Sequence, residues 1–197
     1  VAATYVANRG SGSIDSTFSL TWSFTTSGAV TAGNKIILAI VTHGGGGELI
    51  DSVSGGGLTW TQDAKGANSD GEVAWLFSAD APSGLSSGTT ITVVEHTGGD
   101  VFTKRRYEAM EWSNLVTGAP AGTHANGGSG TSTTPSSGAS SASANSGDVA
   151  VGVVAWKATS VTGDWTVTSG YTKEITLSQN SRSMWVEYDV VGCSERG

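Results

Sequence analysis

Two kinds of chemistry have candidate residues in this chain. Hydrolysis of a glycosidic bond needs two carboxyl groups facing one groove, one as acid and one as base or nucleophile. Glu95, Glu108, Glu111, Glu187 and Asp189 all fall in segments with a strand pattern. Glu108 and Glu111 are three positions apart, so on a strand they point to opposite faces and make a poor acid and base pair. Nucleophilic catalysis fares no better, because there is no Gly-x-Ser-x-Gly elbow, the histidines are scattered and Cys193 lies near the end of the chain. For metal binding, His43, Glu48 and Asp51 share a glycine-rich segment whose imidazole and carboxylates could hold a divalent cation if it folded back. Their spacing matches no named metal loop, and the alternating aspartates of a calcium loop are absent. Asp63, Asp70 and Glu72 bracket a turn and are no stronger. The expectation is no catalytic residue, no metal and no cofactor.

Tryptophan offers the other candidate, since an exposed indole stacks on a sugar ring at little entropy cost. Of the seven, Trp22 is in phase with Phe18, Leu20 and Phe24, and Trp75 and Trp185 occupy matching places in a repeat, so all three are assigned to packing. Trp60, Trp156 and Trp165 lie at strand ends beside polar or glycine-rich segments, with Trp156 next to Lys157 and Trp165 next to Asp164. These three are the candidate ligand-binding residues.

Charge narrows the partners. A net charge of −7 and a pI near 4.8 argue against nucleic acid, whose phosphates demand clustered Lys and Arg. The one basic run, Lys104-Arg105-Arg106, reads as a solvated loop or a strand edge. A single cysteine excludes an internal disulfide, and no stretch approaches the roughly 20 apolar residues of a membrane helix, so membrane insertion is not expected. The chain opens at Val1 without Met, which fits a trimmed precursor, a mature chain or an excised segment and leaves the compartment unread.

The elements that must position these residues are strands. With 29 glycines, 3 prolines and only 14% charged residues over 197 positions, the composition suits many short strands joined by flexible turns in one all-β domain, 1–197. Phe18, Leu20, Trp22 and Phe24 alternate with Ser and Thr, the mark of a half-buried strand. Ile36–Val41 and Val149–Ala155 are apolar on both faces and read as the middle strands of their sheets. Further strands are expected at Ala2–Ala7, Leu58–Gln62, Val73–Ser78, Thr89–Glu95, Tyr107–Trp112, Trp165–Thr168, Thr172–Leu177 and Met184–Val191, ten or more in all. His43–Gly57 reads as a loop, and Thr117–Gly147, rich in Gly, Ser and Thr, as the connection between two halves, with an edge strand at Gly130–Ser137. No helix longer than one turn is expected.

The halves echo each other. Gly33 with Ile36–Val41, the turn Gly56-Gly57-Leu58-Thr59-Trp60, and Val73-Ala74-Trp75-Leu76-Phe77 return as Gly147 with Val149–Val154, then Ser169-Gly170-Tyr171-Thr172, then Met184-Trp185-Val186-Glu187-Tyr188. Together with Thr89-Thr90-Ile91-Thr92-Val93, this pattern resembles a jelly-roll-like antiparallel β-sandwich module of bacteriophage virion proteins (capsid decoration, head-fibre and tail-fibre tips), found also in secreted carbohydrate-active proteins. The similarity spans approximately Ala29 to Val191 and rests on turn and core positions. It implies a displayed, non-catalytic module at the virion surface, in a homo-oligomer such as a trimer, attached to a major capsid or other virion protein and able to meet host-surface glycans. The rival expectation is a secreted, extracellular carbohydrate-binding module; a glycan-degrading enzyme comes third and requires two carboxylates in a cleft.

Overall fold

A computed structural model describes residues 1–15, 19–43, 50–68, 71–96, 104–118, 147–157, 171–179 and 182–190. Expectations at Phe18, Glu48, Asp70, Gly130–Ser137, Trp165–Thr168 and Cys193 lie outside those residues, as does most of the 117–147 connection. The described residues form eleven strands and no helix: β1 (Thr4–Asp15), β2 (Thr21–Thr25), β3 (Asn34–His43), β4 (Ile50–Gly55), β5 (Trp60–Ala67), β6 (Glu72–Ala81), β7 (Thr90–Glu95), β8 (Lys104–Ser113), β9 (Val149–Lys157), β10 (Thr172–Gln179) and β11 (Arg182–Val190). The all-β expectation holds.

All pairings are antiparallel and make three sheets, ordered β1-β8-β3-β6-β5, β2-β7-β4 and β10-β11-β9. Alternation explains how they stack. On β3, Ile36, Leu38 and Ile40 join one core with Trp22, Phe24, Val53, Ile91 and Val93, whereas Ile37, Ala39 and Val41 join another with Met184 and Val186. The five-stranded sheet is therefore a middle layer with a three-stranded sheet on each face. A strand covered on both sides must be apolar on both sides, which is why Ile36–Val41 has no polar phase.

Several expectations change. Val149–Ala155 lies at the edge of its sheet, as β9, and β11 takes the middle. Its uniform apolarity has another origin: Val149, Val151, Val153 and Ala155 face the second core, while Gly152 on the opposite face lies under the Glu187 side chain. The expected loop His43–Gly57 contains β4, whose Ile50 and Val53 are buried. Gly55 ends that strand at φ +130, where a Cβ would run into the Thr90 carbonyl oxygen. β1 runs to Asp15, past the expected Ala7, because register shifts leave Val6 and Arg9 unpaired and let a Gly- and Ser-rich edge strand stay on β8.

β3-β6-β5 and β9-β11-β10 have the same order, and Ile40 faces Trp75 as Val154 faces Trp185. In both third strands the register slips at the same distance from that tryptophan, leaving an acidic residue unpaired: Asp63 in β5 and Glu174 in β10.

Candidate functional site

Charged side chains concentrate inside the protein. Arg105 and Arg106 are 0% and 1% exposed, which overturns the solvated reading of the basic run. They lie in β8, between β1 and β3, and alternation sends them to opposite layers. Arg105 donates from Nε to Glu95 Oε1 at 2.5 Å, and from Nη2 to Glu95 Oε2 at 2.6 Å and the Ser19 carbonyl at 2.8 Å. Trp22 adds its indole N–H to Glu95 at 2.9 Å. Burial pushes the Glu95 carboxyl up, against the pull of Arg105. Arg106 reaches the other way, to Asp15 at 2.6 Å and to the Gln179 carbonyl of β10. The run thus ties the middle sheet to both outer sheets.

Glu108 and Glu111 do point to opposite faces. Glu111 accepts from the Thr31 backbone N–H at 2.8 Å and from Asn34 and Arg9 at 2.5 Å. Burial would raise it, but those donors outweigh burial and hold its carboxyl below the ordinary range. Glu108 is 0% exposed and receives one neutral donor, the Asn8 amide at 2.8 Å, while its Oε2 has no hydrogen-bond partner. Burial first, then the nearby Glu174 charge, push the Glu108 carboxyl up to about 8, so it is protonated at neutral pH. Glu174 projects from the β10 register slip and accepts the Tyr5 hydroxyl. Tyr5 stacks on Tyr188 at 5.3 Å, and both rings pack against Trp112. One carboxyl here keeps its proton and the other is hydrogen-bonded, and Glu108 is buried between layers.

A third cluster joins β3, β6 and β11. Glu72, 1% exposed, lies 3.1 Å from His43 Nδ1 and 3.0 Å from Arg182 Nε. Arg182 Nη2 approaches His43 Nε2 at 2.8 Å, which places the imidazole proton on Nδ1, facing Glu72. Burial, then the Arg182 charge, lower the His43 pKa. Of the two residues grouped with His43 on sequence, Asp51 pairs instead with His96 at 3.0 Å, and Glu48 lies outside the described residues. Among the described residues no group of three or more His, Cys, Asp or Glu could hold a metal ion.

The tryptophan candidates separate. Trp60 is half-buried and packs against the first core, and its indole nitrogen is buried. Trp156 is half-buried on the face of β9 turned away from the second core. Trp165 lies outside the described residues. Glu187 is on the same outward side of the sheet as Trp156, and burial pushes its carboxyl up. Sequence reasoning missed Asn8, Glu174 and Arg182.

None of the family models, curated proteins or solved structures compared with the chain matches it.

Proposed function

We propose that the chain is a non-enzymatic module displayed on a virion, a capsid decoration or head-fibre subunit that assembles in several copies on a capsid or other virion protein. The observation that carries this reading is the inward placement of charge. Glu72, Glu95, Glu108, Glu111, Arg105 and Arg106 are all buried; Glu72 with Arg182, Arg105 with Glu95, and Arg106 with the Gln179 carbonyl join sheets, while Glu111 and Glu108 are held by donors of β1 and the turn before β3. Such a body holds its shape and presents surfaces, which suits weak contacts multiplied over many copies. The matching order, register and slip of β3-β6-β5 and β9-β11-β10 support a duplicated three-strand unit within a jelly-roll-like body.

One observation favours the alternative of a secreted carbohydrate-binding module: Trp156 stands on an outward sheet face, half-exposed. Antibodies raised against the chain decide between the two. Labelling of intact virions from its source supports the first reading; label found solely in particle-free medium overturns it and leaves the second.

A further inference from the structure

The outer sheet β2-β7-β4 has an unusual exterior. Trp22, Phe24, Ile91, Val93 and Val53 turn inward, so the alternate positions form rows on the outside. Ser23, Thr92 and Ser54 are side by side in the middle row. Thr21, Val94 and Ser52 make the row on one side, and Thr25 with Thr90 the row on the other. Every position but Val94 carries a hydroxyl, and none carries a charge. Six of the eight are exposed, with Thr92 and Val94 half-buried. At its border Asp51 and His96 pair with each other at 3.0 Å.

We propose that this face binds a neutral, hydroxyl-rich polysaccharide. The inference goes beyond the display reading and takes from it only the idea of adsorption to glycans; it places that contact on a sheet face and not on the loop aromatics. Strand geometry sets the hydroxyls about 4.8 Å apart across the sheet and about 6.8 Å apart along it. Each hydroxyl both donates and accepts, so it can answer a sugar hydroxyl in either orientation. Threonine adds stiffness, because its branched side chain has little rotamer freedom to lose. A protein partner fits less well: interface cores are rich in aromatics, Met and Arg and poor in Ser, and this face has none of the former. A charged ligand fits less well again, since no cation or anion stands on the grid. Plain solvation leaves the absence of Lys and Glu unexplained, as exposed outer sheets ordinarily carry them to block stray pairing.

The test is depletion of the purified chain from solution by microcrystalline cellulose, chitin and insoluble β-glucan, at low and high salt. The wild type should be retained by at least one of the three with no salt dependence, and Thr92→Lys, and separately Ser23→Glu, should weaken retention at least tenfold. Both variants change outward residues, and an unchanged unfolding midpoint checks that they fold. No retention of the wild type on any of the three overturns the inference, whatever its oligomeric state. Retention kept by Thr92→Lys and Ser23→Glu but lost by Trp156→Ala also overturns it, and assigns binding to the aromatic face instead.

Discussion

Glu108→Gln should make the protein more stable at neutral pH, although it exchanges a buried hydrogen-bonded carboxyl for an amide at the centre of the fold. In the unfolded chain the Glu108 carboxyl titrates near its ordinary 4.5, and in the folded protein near 8, so folding takes up a proton between those values. The sign follows from that uptake. The native state binds more protons than the unfolded state, so stability falls as pH rises from about 4.5 to about 8, by roughly 1.4 kcal/mol per pH unit at most. At pH 7 the cost approaches about 3 kcal/mol, an upper figure because Glu174 and its neighbours relax. Glutamine has nearly the same shape, keeps an oxygen for the Asn8 amide and needs no proton. Urea unfolding of both proteins at pH 5, 6, 7 and 8 should show curves that nearly coincide at pH 5 and separate by about 2–3 kcal/mol at pH 7, the variant being the more stable. If the variant is less stable at pH 7 and the gap does not change with pH, Glu108 is ionised in the native state and the reasoning fails.

Other outcomes follow from the same geometry. Arg105→Met leaves the Glu95 carboxylate buried without its partner and should cost about 3–5 kcal/mol, whereas Arg105→Met with Glu95→Leu should recover most of that loss in chemical denaturation. His43 has the opposite sign to Glu108: its lowered pKa means that the native state binds fewer protons than the unfolded chain, so its share of stability is lost as pH falls below about 6.5. His43→Gln should flatten that acid limb in thermal unfolding between pH 4 and 7; a limb of unchanged slope counts against the Arg182–His43–Glu72 junction as its source. Gly55→Ala should cost more than about 1 kcal/mol, because its positive φ and the Thr90 carbonyl leave no room for a Cβ, and a variant as stable as the wild type would show that the β4 end is misplaced.

Apolar period carried most of the fold in the sequence. The alternation of Trp22 and Phe24 with Thr21, Ser23 and Thr25 identified a half-buried strand, and the unbroken run Ile36–Val41 identified a strand covered on both sides. What periodicity cannot carry is how many layers do the covering, since an inner strand of a three-layer stack and a middle strand of a parallel sheet look alike. The same ambiguity put β9 in the middle of its sheet. Polar segments misled for a different reason. Lys104-Arg105-Arg106 reads as a surface run because its carboxylates, Glu95 and Asp15, are distant in sequence or on another strand, and only the register of β8 brings them within reach. Glu108 stayed hidden too, as a buried acid kept neutral has no local sequence mark. The Asp63 and Glu174 slips were not legible either: Asp63 lies 12 positions before Trp75 and Glu174 11 before Trp185, so aligning the tryptophans pairs Asp63 with Lys173, and only the strand register brings the two acids into matching places.

The most direct test of the display reading is the mass of the purified chain in solution by light scattering. A stable trimer or larger closed assembly is the predicted result. A monomer at every concentration, bound to one polysaccharide through Trp156, would contradict it and point to a carbohydrate-binding module.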